Sequence, residues 1–365
     1  MASASTRLLL ILFLLATAPL DLAAQDVLLN PIGTRIYGMG LAGAADDLDP
    51  NNVFLNPAVV ASVRGIALSG NYQPDVIGEG DEYYNVNFLL AGGHDWNVGS
   101  AGLLGLGVGA TYSRIDFGDF LVSNPEGVLL GEYSWADWLL GFEAGLQYVH
   151  NDRVGFDVGF AVKSWKSDFN SSVEDPDLDN FDADATLYDF GGLVWMPFVS
   201  ESGYVFKPMA GFSTTNFGGE LNYSDQTGDP PKQSRIGLGL RVDSPASAAA
   251  AAGTELSSAR WRLVLDLDYH NRDDQNGRER GDAYNVGTEF SISDIVFFRM
   301  GYRSVMRKDV YPGDERTKQM TVGLGAGYDS GRYGFRVDYA YAPWWSDKTT
   351  EEALNYLGAY FRVLL

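Results

Sequence analysis

The chain has 365 residues, with 48 Asp and Glu against 26 Lys and Arg, a net charge of -22 and no cysteine. This charge argues against a nucleic-acid partner, because proteins that bind DNA or RNA carry basic patches. Without disulfides, an exported chain of this size needs a large core or a closed hydrogen-bonded sheet to stabilise it.

The first 24 residues have the pattern of a secretory signal peptide. A basic start at Arg7 precedes the apolar residues 8–16, and small residues follow at Ala23 and Ala24. The apolar stretch is shorter than the roughly 20 residues that a helix needs to span a bilayer. We therefore expect cleavage after Ala24 and export of the remainder.

The next segment, 25–63, contains GMGLAGAADDLDPNNVFLNP at 38–57, which has the spacing of a glycine-rich cofactor loop. A dinucleotide loop needs a strand before it and a helix after it within a parallel sheet, and the flanking sequence predicts neither. A calcium-binding EF-hand loop requires glycine at its turn and a bidentate carboxylate at its last position, but this sequence has Asn52 and Ala58 at those two positions. The sequence thus predicts no cofactor and no metal ligands here.

From residue 64 onward, apolar and polar residues alternate with the period of a β-strand. Trp261, Leu263, Leu265 and Leu267 form one face of such a strand, for example. Fourteen strands are predicted, over residues 65–74, 83–92, 101–114, 135–149, 154–165, 186–197, 204–214, 234–243, 260–270, 283–292, 295–304, 318–328, 332–342 and 354–365.

Two features favour a membrane barrel over a soluble β-sandwich. Aromatic residues stand at the ends of the apolar faces, and short connections alternate with long ones, apart from the long 244–259. Bacterial outer-membrane barrels have both properties, together with an even number of strands. Residues 64–365 are therefore predicted to form an all-β, closed antiparallel transmembrane β-barrel of about fourteen strands. Its surroundings would be the lipid of a Gram-negative outer membrane.

The opposite faces of these strands would line the lumen with charges of both signs, which favours a paired network over a charge-selective filter. Glycines on the same faces, at 105, 107, 109, 323, 325 and 327, would leave room for a segment packed against the wall. The predicted lumen residues are Glu143, Asp157, Lys163, Asp189, Arg235, Arg241, Arg262, Asp266, Asp268, Glu289, Arg299, Arg303, Arg336, Asp338 and Arg362.

The segment before the first strand resembles the N-terminal signature of the FadL/PorV superfamily. The resemblance rests on Gly33, Arg35, Gly38, Met39, Gly40, Ala42, Asn56, Pro57 and Ala58. It implies that residues 25–63 form a plug, or hatch, inside a fourteen-stranded barrel. The chain departs from the pattern at Val59 and Val60, where the family usually has Gly-Leu.

Asp46, Asp47 and Asp49 of this segment have two interpretations: pairs with lumen arginines, or a solvated turn facing the periplasm. Pro208 interrupts the seventh strand and predicts a bulge in the wall, since proline cannot donate to a ladder. In the fatty-acid channels of the superfamily, a kinked strand opens the wall sideways. Pro208 and the glycine-rich third strand are the two candidates for that part here, and a bulge without function is the favoured interpretation of Pro208.

Few other residues indicate chemistry. The acidic loop 167–185 is expected to be solvated, with weak Ca²⁺ binding as the alternative. His94, His150 and His270 are too far apart in sequence to predict a metal site. No catalytic residues are predicted.

The first functional hypothesis is passive transport of a fatty-acid-like hydrophobic molecule. The molecule would be captured among outer loops near Phe117, Phe120, Trp344 and Trp345 and would then pass the hatch. The alternative is a PorV-like component of protein secretion or surface attachment that docks secretion-system proteins. An outer-membrane enzyme is the third hypothesis.

Overall fold

The computed structural model describes residue 28 and residues 33–74, 84–99, 102–124, 127–151, 153–172, 182–223, 227–245, 260–273, 280–308, 315–345 and 350–364. The predicted signal peptide lies outside these residues. So do residues 173–181 of the acidic loop 167–185. Among the described residues, no helix is both long enough and apolar enough to cross a bilayer.

The described chain forms one antiparallel sheet that closes on itself. The strands are β1 Gly65–Pro74, β2 Tyr84–Asn97, β3 Leu103–Ser123, β4 Leu129–His150, β5 Val154–Ser171, β6 Ala183–Trp195, β7 Phe198–Val199, β8 Val205–Phe217, β9 Leu221–Tyr223, β10 Thr227–Gly228, β11 Lys232–Asp243, β12 Trp261–Asp273, β13 Arg280–Ile292, β14 Val296–Lys308, β15 Glu315–Asp329, β16 Tyr333–Trp345 and β17 Thr350–Val363.

Fourteen of these strands are long and form the wall, whereas β7, β9 and β10 have only two or three residues. Each long strand pairs with its neighbours along the chain, and β1 pairs with β17, from Ile66 opposite Val363 to Tyr72 opposite Leu357. This last pairing removes the open edge that hydrocarbon would not tolerate. The predicted fourteen-stranded closed barrel is confirmed.

The two faces of the wall have opposite character, as β12 illustrates. Leu265 and Leu267 are 42% and 48% exposed, whereas Asp266 and Asp268 between them are 2% and 0% exposed. A soluble protein would bury the leucines. The exposed apolar face therefore matches a wall that meets lipid outside and polar groups inside.

Tight turns gather at one end of the barrel, as between β4 and β5, β13 and β14, and β15 and β16. The connections between β5 and β6 and between β8 and β11 are longer and lie at the other end. In outer-membrane barrels the short turns face the periplasm. The first end is accordingly called periplasmic and the second outer.

The hairpins β3–β4 and β4–β5 extend further outward than the sequence predicts. β4 has 22 residues, about twice what a membrane span requires. The sequence around Gly118 breaks the alternation, and the structure absorbs the break as an irregularity between Asp116 and Asp119, with Gly118 at φ 73°.

Pro208 lies within β8, and the ladder to β11 passes through it in register, with Leu240 as its partner. On the other side, β6 ends at Trp195 and β7 starts at Phe198. The interruption near Pro208 thus lies in the neighbouring strand. The register shift between β6 and β8 occurs further out, between Tyr188 and Phe190.

Residues 33–63, called here the luminal segment, contain one short α-helix, α1 Thr34–Gly38, and two 3-10 helices, Pro50–Phe54 and Pro57–Ser62. Both 3-10 helices begin with proline after a capping side chain, because Asp49 accepts from the N–H of Asn51 and Asn56 from that of Ala58. Proline suits the first helical position, since that N–H has no helical partner. The Asn-Pro-Ala motif is thus a helix start.

Candidate functional site

The luminal segment packs against glycines of the inward wall. A Cβ at Gly159 would collide with Pro57, one at Gly301 with Gly40, and one at Gly211 with the carbonyl of Ala44. The lack of side chains lets the two backbones approach closely. Wall glycines that touch the segment in this way lie on strands β2 to β17: Gly93, Gly107, Gly145, Gly159, Gly191, Gly211, Gly237, Gly287, Gly301, Gly323 and Gly358.

Arg35 of the segment is almost fully buried and carries two carboxylate partners. It pairs with Asp46 of the segment, and its Nε donates to Oε2 of Glu289 on β13 at 2.8 Å. A buried guanidinium is costly unless each such partner is present. Burial lowers the pKa of Arg35, but these carboxylates outweigh it and hold the pKa well above its ordinary value.

The pairing continues through the wall and returns to the segment. Glu289 accepts from Arg299 at 2.6 Å, Arg299 donates to Asp338 at 2.7 Å, and Asp338 accepts from Arg336 at 2.7 Å. Arg336 then donates to Asp49 of the segment at 2.6 Å. We call these five residues together with Arg35 the ionic ring. It combines four predicted lumen residues with two from the segment.

All three aspartates of the acidic stretch are accounted for. Asp46 pairs with Arg35, Asp49 with Arg336, and Asp47 with Lys207 of β8, with Arg241 at 3.6 Å. Burial raises the pKa of Asp47, but Lys207 and Arg241 outweigh it, so the pKa lies below its ordinary value. The stretch is therefore paired and not a solvated turn, with lumen arginines as partners of Asp49 and Asp47, whereas Asp46 pairs within the segment.

Wall side chains also bind the backbone of the glycine-rich stretch. Oδ2 of Asp268 accepts from the N–H groups of Gly43 and Ala44, at 2.9 and 3.0 Å. Asn285 donates to the carbonyl of Leu41 at 3.1 Å. Glycine is required at position 40, where φ is 65° and Tyr302 lies against the backbone.

Asn56 of the Asn-Pro-Ala motif links the segment to β6. Its Nδ2 donates to the carbonyl of Ala44 at 2.7 Å and to that of Gly192 at 3.1 Å. Its Oδ1 meanwhile caps the second 3-10 helix. The same side chain therefore starts a helix, ties two parts of the segment together and contacts the wall.

Other predicted lumen residues do not join the ionic ring. Glu143 accepts from Thr111 at 2.7 Å, and Asp157 accepts from Ser62 of the segment at 3.0 Å. Arg262 pairs with Asp243 and Asp294 near the periplasmic end, at 2.7 and 3.0 Å.

Two predicted lumen residues are buried with incomplete bonding. Arg235 donates to Gln233 at 3.1 Å, but its Nη1 has no partner among the described residues. Neither carboxylate oxygen of Asp266 has a hydrogen-bond partner in the described part of the chain.

The outer half of the lumen contains an apolar cluster that the sequence did not predict. Phe117, Leu139, Trp165 and Leu187 are at most 2% exposed and come from four adjacent strands, β3 to β6. These positions face inward, where a barrel wall is ordinarily polar. The outer apolar cluster consists of Leu28, Ile115, Phe117, Leu139, Trp165, Ala183, Ala185, Leu187 and Leu221, with Phe54, Phe120 and Trp135 packed against it.

Aromatic rings extend this cluster along the outer part of β3, β4 and β5. The ring centres of Phe117 and Trp135 are 5.0 Å apart, and Tyr133 lies 4.8 Å from Phe120 and 5.4 Å from Phe169. Phe117 and Phe120 were predicted as outer-loop residues and instead lie on β3. The side chains of Trp344 and Trp345 lie outside the described set.

Metal ligands and histidines add no further site. Within the described ranges, no group of three or more His, Asp or Glu side chains is arranged to hold a metal ion. His150 lies at the periplasmic end, beside Tyr148 at 3.2 Å, whereas His270 lies in the lumen beside Asn285 at 3.4 Å.

Comparison with known proteins gives a family and a shared fold. The family model described as outer membrane protein beta-barrel domain matches residues 88–329. A mutant of the TodX monoaromatic hydrocarbon channel is 12% identical, with 92% of this chain and 99% of that chain covered and a TM-score of 0.50. The Ralstonia pickettii toluene transporter TbuX is 13% identical over 92% and 98% of the two chains, at a TM-score of 0.49. No curated protein matches the chain.

Proposed function

Because the chain belongs to the outer membrane protein beta-barrel domain family, we propose that it passively transports a hydrophobic small molecule across the outer membrane of a Gram-negative bacterium. In this proposal the luminal segment is the hatch of the barrel, formed within predicted residues 25–63. No catalytic activity is assigned to the chain.

The outer apolar cluster carries the proposal. A lumen that passes ions or polar solutes needs polar walls throughout, and apolar side chains there are useful for holding apolar ligands. Trp165 and Phe117 place large flat apolar rings at the outer side, where the molecule would arrive. The similar TodX protein is a monoaromatic hydrocarbon channel, which agrees with this choice of cargo.

The ionic ring bears on how the molecule passes. Displacing the luminal segment would separate Arg35 from Glu289 and Asp49 from Arg336, all of them buried. Losing one partner of a buried pair costs about 3–5 kcal/mol. We therefore propose that the molecule moves beside the segment while the ring stays intact.

An uptake assay in cells lacking the native gene tests the transport. The wild type should restore uptake of at least one compound in a panel of radiolabelled hydrocarbons and fatty acids. Leu187→Asp, which places a charge in the outer apolar cluster, should reduce that uptake at least tenfold. Leu89→Asp, in a separate cluster with Val53 and Val60, is the matched control and should retain more activity.

Folding must be verified for each variant by the shift in gel mobility that barrels show on heating. If the folded wild type changes the uptake of no compound in the panel, the transport function is rejected.

A second candidate, docking of a protein partner, is favoured by the tip of the β3–β4 hairpin. Leu121, Val128, Leu129 and Leu130 are 71%, 58%, 58% and 50% exposed beyond the outer apolar cluster. Exposed apolar groups of this kind often mark interaction sites. Changing the three leucines to serine should abolish attachment of a surface protein and leave hydrocarbon uptake intact. Unchanged surface protein content would eliminate this candidate.

A further inference from the structure

Leu28 has an unusual position in the outer apolar cluster. It precedes the luminal segment in the chain, yet its side chain is 9% exposed among Ile115, Trp165 and Leu187 of the barrel wall. The other buried members of the cluster come from strands β3, β4, β5, β6 and β9. The N-terminal chain thus inserts an apolar side chain into the place where a hydrophobic cargo would sit.

A bulge in β8 lies beside it. Tyr188 of β6 is opposite Phe217, but Phe190 is opposite Thr214, so that Thr215 and Asn216 together face Asp189. Asn216 has a φ of 59°, a left-handed conformation that asparagine tolerates better than most residues. Its N–H donates to Oδ1 of Asp189 at 2.8 Å, which stabilises the bulge. Bulges are common where a wall re-aims a side chain.

The bulge directs the side chain of Asn216 toward Leu28, with which it forms a hydrogen bond. Nδ2 of Asn216 donates to the carbonyl of Leu28 at 3.0 Å and to that of Pro231 at 3.3 Å. Its Oδ1 accepts from Lys163, which also pairs with Asp189 at 2.7 Å. Asn216 is 1% exposed, and both ends of its amide are used. A rigid polar group therefore fixes the backbone of Leu28.

From these contacts we propose that Leu28 occupies the cargo subsite of the outer apolar cluster as an intramolecular substitute, and that cargo and Leu28 compete for it. Asn216 is the positioning residue that sets how firmly Leu28 is held. The subsite accepts a compact, uncharged apolar group. This proposal rests on the transport function proposed above.

Competition of this kind weakens cargo binding, because the apparent dissociation constant equals the intrinsic one divided by the fraction of protein whose subsite is free. Burial of a leucine side chain is strong enough to keep that fraction at about one tenth or less. Freeing the subsite should then strengthen binding by about tenfold. The ionic ring lies on other strands, so the luminal segment stays in place when Leu28 leaves.

Binding of radiolabelled naphthalene to the mature protein in lipid nanodiscs tests the proposal, with empty nanodiscs subtracted. Leu28→Ser should bind about tenfold more tightly than the wild type. Asn216→Gly keeps the left-handed backbone but loses the amide, and it should tighten binding several-fold. Asn216→Asp keeps the acceptor for Lys163, loses the donors to Leu28, and should also tighten binding. Asn222→Asp, an exposed change on β9, is the matched control and should match the wild type.

A double variant separates positioning from general loosening of the barrel. With Leu28→Ser already present, Asn216→Gly should produce no further tightening, because there is no side chain left to hold in the subsite. Additive effects, or equal binding by wild type and Leu28→Ser, would overturn the competition proposal while leaving transport standing. Failure of every protein to bind naphthalene or any other hydrocarbon tested would reject the transport function itself.

Discussion

The acidic stretch shows what single residues contribute to this barrel. Asp46, Asp47 and Asp49 have the same side chain, yet each binds a different cation: Arg35, Lys207 and Arg336. The sequence could not choose between pairing and solvation, because the cations are up to 287 residues away along the chain. Arg35 is near Asp46 in the segment itself, whereas only closure of the wall brings Lys207 and Arg336 to the segment.

Asp49→Asn should weaken attachment of the luminal segment at neutral pH. Burial raises the pKa of Asp49, but Arg336, Arg35 and the bonds from Asn51 outweigh it, so the pKa is lowered from 3.8. A carboxyl with a lowered pKa stabilises the fold above its unfolded pKa, and this contribution disappears as the pH falls through the folded pKa. The variant should lose about 3 kcal/mol at neutral pH.

Urea unfolding in lipid vesicles measures this loss. The gap between wild type and Asp49→Asn should narrow below about pH 4. Asp119→Asn, at an exposed position on β3, is the control and should show no gap. A gap that is constant down to the lowest pH would show that the charge of Asp49 is not what matters.

Gly301→Val tests the close approach between wall and segment. A Cβ at position 301 would collide with the backbone of Met39 and Gly40, and backbone cannot move aside as a flexible side chain can. We expect the segment to be displaced locally and to become accessible to protease. Gly92→Val is the matched control, because a Cβ there meets only one carbonyl oxygen at 3.5 Å. Equal protection of the segment in both variants would contradict the close contact.

At the scale of the element, a charged residue on the lipid face of a strand should destabilise the barrel more at the middle of the bilayer than near its surfaces. Leu267 lies near the middle of β12 and is 48% exposed. Leu267→Arg should destabilise the barrel by about 2–4 kcal/mol, whereas Tyr269→Arg, nearer the outer end, should cost about 0–1 kcal/mol. Reversible unfolding in vesicles gives both values. Equal costs at the two positions would mean that β12 does not cross the membrane as assigned.

Strands were predictable because the two faces of the wall meet different solvents. Alternation such as that of Leu265, Asp266 and Leu267 specifies a strand, its lipid face and its lumen face together. The same rule explains the two omissions. Alternation predicts polar residues on the lumen face and therefore does not predict the apolar Trp165 there. It also assumes that successive residues point to opposite faces, and therefore does not predict the bulge at Asn216, where two successive residues point inward. The bulge is held by Asp189, and both Trp165 and the side chain of Asn216 meet the distant Leu28, which alternation along a strand cannot show.

Glycines on the lumen faces of the strands indicated that another part of the chain packs closely against the inner wall. Gly107 and Gly323 alternate with lipid-facing apolar residues, and each now contacts the luminal segment. The resemblance at Asn56 and Pro57 identified the segment. The partners of each of its side chains could not be read from the sequence, because strand order and register had first to place them around one lumen.

At the scale of the whole molecule, the pairing of charges between the luminal segment and the wall predicts how well the barrel conducts ions without the segment. The wall contributes Arg299, Arg336 and Lys207, whose partners include Glu289, Asp338 and aspartates of the segment. Removing residues 33–58 would leave a wide polar lumen with some of these cations unpaired. We expect the deletion variant to conduct ions in planar bilayers, with a preference for anions, whereas the wild type conducts little.

Two controls make that measurement decisive. Because β1 pairs with β17 to close the sheet and no strand of the sheet comes from the luminal segment, the variant should still show the gel-mobility shift of a closed barrel. Restoring the deleted part as a peptide of residues 33–58 should reduce the conductance, and a peptide with Asp47 and Asp49 changed to asparagine should do so less well, since it lacks the charges that bind Lys207 and Arg336. Equal, low conductance of wild type and deletion variant would show that something other than the luminal segment closes the pore.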